Sequence, residues 1–229
     1  MEESSPALER QAFLGLGALA AVVGGLLFAV AGTVRYTEAW IFLGTFFGAS
    51  LAVTLYLMRR DPKLLERRVK AGPVAEQRPR QRLIQALASC AFLAIIAAPA
   101  LDHRLGWSRV PPAVVAAGDL LVAFGFLVVF RVFKENSYAS AVIEVGAEQK
   151  VIDTGPYALV RHPMYAGALL LLAATPPALG TLVALPLVAA LAAVLVARIV
   201  DEERLLSAEL PGYRDYCREV RHRLVPHVW

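Results

Sequence analysis

The stretch MYAGALLLLAATPPALGTLVALPLVAALAAVLVA, residues 164–197, runs for 34 residues without a charged side chain. As one straight helix it would be about 51 Å long at about 1.5 Å per residue, longer than a hydrocarbon core of about 30 Å is thick. Pro176-Pro177 and then Gly180 fall near its middle. Proline removes a backbone donor and its ring crowds the preceding turn. The stretch therefore predicts two antiparallel arms, roughly 164–176 and 181–200, forming a helical hairpin.

Four further stretches lie upstream. Residues 12–31, 40–58 and 83–101 carry no charge, and 110–130 carries only Asp119. Each is long enough for a membrane span of about 20 residues. The composition agrees: 58% of the 229 residues are hydrophobic and 18% charged, with mean hydropathy +0.56. A soluble domain is about 45–50% apolar and about 25% charged, so a mostly water-facing chain, a disordered chain and a coiled coil are all excluded. The expected fold is an all-α polytopic bundle of five to six membrane helices, ending in the hairpin, with a cytoplasmic pocket beside it. Ala29-Val30-Ala31 resembles a signal-peptide cleavage site. The acidic Glu2, Glu3 and Glu9 before the first span, and the four apolar stretches after it, favour an uncleaved helix instead. No internal repeat or linker divides the chain, so residues 1–229 are expected to form one membrane domain, with its chemistry in about 131–229.

Lysine and arginine sort by loop. The segments 59–82, 131–165 and 198–229, together with Arg10, hold twenty of them. Arg35, Arg104 and Arg109 are the other three. By the positive-inside rule, six crossings put both termini and the large polar segments in the cytoplasm; five or seven would break the sorting. In a prokaryotic cell the membrane would be the plasma membrane. The basic run 59–82 is read as topology and attraction to anionic headgroups. Without interleaved aromatics or a binding motif it does not predict nucleic acid as a partner. Cys90, within a span, and Cys217, in the tail, are not expected to pair. The histidines lack metal-ligand spacing, so no metal site is expected.

Two polar segments flank the hairpin. In the first, residues 151–167, Gly155-Pro156 signals a turn. His162-Pro163 stops any incoming helix and suits the start of the next. His162 thus sits at a helix N-terminus, where free N–H groups favour an anion. Tyr157 and Tyr165 offer faces and hydroxyls, and Gly167 allows close approach of a ligand or a second backbone. The competing reading is a capped turn at the membrane surface with interfacial tyrosines. In the second, residues 198–216, Arg198 and Glu202 stand four apart on one helix face. Such a pair is usually a weak surface pair; at the mouth of an apolar bundle it is suited to a ligand bearing both charges. Arg204, Asp215, Arg218, Glu219 and Arg221 read as solvated faces, and residues 225–229 as an interfacial tail anchored by Trp229. Lys134 to Tyr138 is a helix exit or the lining of an acceptor entrance. Asp119 reads as packing against a neighbouring helix or a wet pocket.

TGPYALVRHPMYAG (154–167), followed after the hairpin by EERLL (202–206) and LPGYRDYCREVRHRLVP (210–226), resembles the isoprenylcysteine carboxyl methyltransferase family. It is also similar to the related integral-membrane phospholipid methyltransferases. The resemblance covers about 144–226; the earlier spans match only in hydropathy. It implies an enzyme that takes S-adenosyl-L-methionine from the cytoplasm and a lipophilic or lipidated acceptor from the membrane lipids. His162, Pro163, Met164 and Tyr165 match the cofactor-binding turn, and Tyr157 an upstream contact. Gln149, Lys150, Val151 and Ile152 fall where the family has a strand-like cofactor segment. Glu202 matches the cofactor-binding acid, and Arg198 the arginine near the acceptor carboxylate. Glu144 corresponds, across a gap, to a glutamine contact. Leu210-Pro-Gly-Tyr213 departs from the family's Phe-Gly turn, which shifts the register of Tyr213 and Tyr216. The implied reaction is methyl transfer to a carboxylate, which needs alignment rather than a base. The alternatives are phospholipid N-methylation, a reductase on a related scaffold using a nicotinamide cofactor, and a non-enzymatic transporter or assembly protein. Gly15, Gly17, Gly24 and Gly25 permit close helix contact within or between subunits.

Overall fold

The computed structural model describes residues 4–76, 78–143 and 149–229. Those residues form helices and connecting segments, with no strand among them. In chain order they are α1 (Pro6–Ala31), α2 (Thr37–Arg60), α3 (Pro62–Val69), α4 (Pro79–Leu105) and α5 (Pro112–Glu135). A 3-10 turn (Gly155–Ala158) precedes α6 (Pro163–Ala178), α7 (Leu185–Glu209) and α8 (Tyr213–Glu219). Proline opens α1, α3, α4, α5 and α6, where its missing N–H costs nothing and its fixed φ is already helical. Ser5 and Asp61 cap α1 and α3 by accepting from the amides of Leu8 and Leu64. Gly32 and Gly106 end α1 and α4 in the left-handed conformation.

Helices α1, α2, α4 and α5 are long and apolar enough to cross a membrane. Their outer faces expose large apolar side chains, with Leu14 at 62% and Leu120 at 72%. That pattern is costly in water and natural against lipid. The inner faces of α1, α2, α4, α5 and α6 converge on one core that includes Leu27, Phe42, Ile96, Val122 and Ala174. A second apolar cluster seats α7 against α4 and α6 through Ile95, Leu191, Leu195 and Ile199.

The hairpin breaks later than its prolines suggest. Pro176 and Pro177 lie inside the last turn of α6, and the chain reverses over 179–184. The arms are thus 163–178 and 185–209, not 164–176 and 181–200. A proline disturbs the turn before it, so the last turn of a helix tolerates one. The reversal falls where Gly180 takes φ +78° and the amides of Gly180 and Thr181 bond back to Pro177 and Pro176. Beside this reversal Tyr36 stacks on His103, centroids 3.9 Å apart, and donates to the Leu179 carbonyl at 2.5 Å. Asp102 and Thr181 meet there through Ser108. This polar knot closes the end of the bundle opposite the basic segments.

Helices α5 and α6 pack backbone to backbone. A Cβ on Gly118 would lie 2.4 Å from the amide nitrogen of Ala178, and one on Gly125 would lie 2.7 Å from Leu171 Cγ. At Gly167 a Cβ would meet Val129 and Val128 at 3.0 and 3.1 Å. Gly167 therefore admits a second backbone rather than a ligand. Gly15, Gly17 and Gly25 on α1 have nothing within 4 Å of a Cβ position among the described residues, so no close approach there requires glycine.

Candidate functional site at the basic end of the bundle

Three segments meet at the end where α5 finishes and α6 begins. His162 is the N-cap residue of α6, with Pro163 following, and no side chain caps the helix. The first-turn amides there remain free to meet an anionic group. Glu202 and Arg198 approach from α7. The segment 149–152, irregular rather than strand-like, closes a third side with the loop 136–143. Between them lies a cavity of about 830 Å³, counting its open mouth.

Gln149, Lys150, Val151, Ile152, Tyr157, His162, Pro163, Met164, Tyr165, Arg198 and Glu202 all line this cavity. Asn136 and Tyr138 do too, so the exit of α5 is part of the wall. Tyr213 and Tyr216 complete it, carried by α8 after Gly212 turns the chain at φ +82°. Glu144 lies outside the described residues.

Tyr165 is the hinge of the polar wall. Its hydroxyl donates to Glu202 Oε2 at 2.6 Å and accepts from Arg198 Nε at 2.9 Å. Arg198 and Glu202, four apart on α7, are thus coupled through a tyrosine from α6. Among the described residues Glu202 Oε1 accepts no hydrogen bond. Among the described residues the buried Tyr213 hydroxyl has no hydrogen-bond partner. Tyr157 receives Asn136 Nδ2 on its hydroxyl at 2.7 Å, and its carbonyl accepts from Tyr216 at 2.8 Å. Burial pushes the Tyr157 phenol up to about 12 and those of Tyr213 and Tyr216 well above the ordinary range. All three remain O–H donors at physiological pH.

Arg198 is more occupied than its sequence position suggests. Its Nη1 donates to Glu76 Oε1 at 2.9 Å and Gln81 at 3.1 Å, and its Nη2 to the Ala141 carbonyl at 3.0 Å. Gln81 bonds in turn to Asp201, which also draws Arg78 and Arg80 within 3.4 and 3.5 Å. The basic run 59–82 is therefore partly structural. Arg78 and Arg80 pair with α7, and Arg67 and Arg68 brace the loop at Ser137 and Ser140.

Glu203, the neighbour of Glu202, holds the turn itself. It accepts from Arg161 Nε at 2.7 Å and Arg223 Nε at 2.8 Å and lies 3.2 Å from His162 Nε2. Burial alone would raise its carboxyl. The hydrogen bonds from His162 and Arg223 and the nearby guanidinium of Arg161 outweigh that and bring it to about 2. The tail does not run out along the surface: the amides of Arg223 and Leu224 bond back to the Trp229 carbonyl. Arg204, Asp215, Arg218, Glu219 and Arg221 are exposed, as expected of solvated faces.

Sequence reasoning missed Glu76, Gln81, Asp201 and Glu203 as parts of this site. The adjacent acids Asp201 and Glu203, next to a residue already singled out, were the one available signal. Nothing marks Glu76 locally, because its partner lies 122 positions away.

Residues 113–210 match the family model described as phospholipid methyltransferase. No curated protein matches the chain. The matched stretch begins in the first turn of α5 and ends after α7, so it carries the hairpin, the Arg-His-Pro turn, Arg198 and Glu202. The likeness to integral-membrane methyltransferases read from the motifs is borne out over these residues.

Proposed function

From the match of residues 113–210 to phospholipid methyltransferases, we propose that this chain transfers a methyl group from S-adenosyl-L-methionine to a lipophilic acceptor at the cytoplasmic face of a membrane. The observation that carries the reading is the cavity itself. It joins the free N-terminus of α6 to a Glu202 oxygen and a Tyr213 hydroxyl that have no hydrogen-bond partner among the described residues, at the end of an apolar bundle.

Those three features fit the cofactor's chemistry. The α6 amides after Pro163 suit its carboxylate. Glu202 suits its ammonium or ribose hydroxyls. Tyr157, Tyr213 and the side chains of 149–152 supply donors and apolar contact for the nucleoside. When bound, the cofactor supplies a methyl group on a sulfonium, ready for in-line displacement. The chain's own residues align the acceptor and exclude water. Tyr165 keeps Arg198 and Glu202 at a set separation, and Glu203 holds the 161–162 turn in place.

The acceptor we favour is a carboxylate of the prenylcysteine kind, because it is nucleophilic without losing a proton. The second reading, phospholipid N-methylation, is favoured by the family match; it requires removal of a proton from the amine. Titration of the purified full chain with S-adenosylhomocysteine tests the first half, and micromolar binding is expected. Turnover with labelled cofactor, offering N-acetyl-S-farnesylcysteine or phosphatidylethanolamine, tests the second. NADPH binding without S-adenosylhomocysteine binding would replace transfer by reduction. Full turnover by Arg198→Ala would remove Arg198 from the reaction.

A further inference from the structure

Among the described residues, Glu202 and Arg68 are the half-buried charges at the cavity wall that lack an ion pair, while Lys150, which also lines it, is exposed to solvent. Arg198 faces Glu76 at 2.9 Å and Arg161 faces Glu203 at 2.7 Å. Among the described residues the Tyr165 hydroxyl is the hydrogen-bond partner of Glu202. Arg68 on α3 has no carboxylate within ion-pair distance among the described residues. Its Nη1 donates to the Ser140 carbonyl at 3.1 Å and touches Met164 Sδ at 3.6 Å. Ser140 and Met164 both line the cavity, so the guanidinium stands directly behind its wall. Its guanidinium carbon lies 5.1 Å from the Phe133 ring centroid, and among the described residues neither Nε nor Nη2 makes a hydrogen bond. Burial lowers its affinity for a proton; Tyr165 and Tyr157 oppose that and Arg198 adds to it. A guanidinium in such surroundings carries a desolvation cost that an anion would relieve.

We propose that Arg68 is the anion-binding residue for the acceptor's head group, a carboxylate or a phosphate, lying where α3 meets the loop 136–143. The proposal rests on the methyltransferase reading for the word acceptor, and on the geometry alone for the anion. Arg198 is a poorer candidate because Glu76 already neutralises it. The two then take different parts: Glu202 in the cavity meets the cofactor's cationic part, and Arg68, behind the wall at Ser140 and Met164, meets the acceptor's anionic part. Helix α3 is suited to the task. Leu64 and Leu65 are buried against α1, α2 and α5, which fixes Arg68 in position, and a guanidinium fork grips either oxyanion through paired N–H groups.

The test uses the full chain in neutral maltoside micelles, followed by native mass spectrometry. The probes are dodecyl phosphate, dodecanoate, dodecyltrimethylammonium and, separately, S-adenosylhomocysteine. The wild type is expected to hold an anionic amphiphile about tenfold more tightly than the trimethylammonium one. Arg68→Gln erases that preference, Arg68→Lys weakens it about threefold by losing the fork, and S-adenosylhomocysteine binding stays unchanged in both. Tighter dodecyl phosphate points to a phospholipid head, and tighter dodecanoate to a free carboxylate. An unchanged preference in Arg68→Gln overturns the proposal. So does a parallel loss of S-adenosylhomocysteine, which marks a structural role. If Arg68→Gln does not fold, Arg68→Lys decides: no weakening overturns it. A wild type that shows the Arg68-dependent preference but binds no S-adenosylhomocysteine sinks the methyltransferase reading and leaves the anion site standing.

Discussion

Replacing Glu203 by glutamine should loosen the cavity wall around the start of α6. The carboxylate joins Arg161 and His162, at the start of α6, to Arg223 in the tail. Its side chain is 12% exposed and that of Arg161 only 7%. A carboxyl held at about 2 instead of its ordinary 4.5 contributes about 3 kcal/mol once fully ionised, of which screening leaves about 2 kcal/mol. Glutamine still accepts one hydrogen bond but turns amide hydrogens toward a buried guanidinium. Glu203→Gln should therefore lose about 2–3 kcal/mol at pH 7. Because the folded-state value is depressed, this stability is complete above pH 4.5 and is lost as pH falls toward 2. Thermal unfolding of both proteins in neutral detergent across that range is the assay. The gap in Tm should be widest above pH 5 and should close by about pH 2. Identical Tm values at pH 7, or a gap that persists undiminished at pH 2, would refute the role given to the ion cluster.

Two further outcomes follow from the packing and the polar wall. Gly125→Leu should force α5 and α6 apart, since even a Cβ would lie 2.7 Å from Leu171; a loss of about 3 kcal/mol or more is expected, against almost none for Gly15→Ala, read by detergent melts of both variants. Tyr165→Phe removes the hydroxyl between Arg198 and Glu202. It should cut labelled-methyl transfer about tenfold or more while the fold survives; wild-type turnover in that variant would show the bridge is idle.

The legible parts of the site are local. His162 marks a helix start because Pro163 follows it, and Arg198 and Glu202 share a face because four residues make about one turn. The partners that fix Arg198, Asp201 and Glu203 were not legible. Glu76 comes from the approach to α4 and Gln81 from its first turn, and Arg161 and Arg223 from either side of α7. Position in the chain says nothing of such meetings.

Hydropathy by itself determined the four long spans and their rough limits, since a helix in lipid must be apolar over a fixed length, whatever it packs against. The same holds for the turn before α6, where proline chemistry acts on its own neighbours. Tertiary structure alone decided where the hairpin reverses, because Pro176 and Pro177 are tolerated in a last turn and Gly180 bends the chain afterwards. It also decided which charges are spent. Among the described residues Arg198 has a carboxylate partner and Arg68 has none, because ion pairs depend on separation in space, and Glu76, which pairs with Arg198, lies 122 positions away from it.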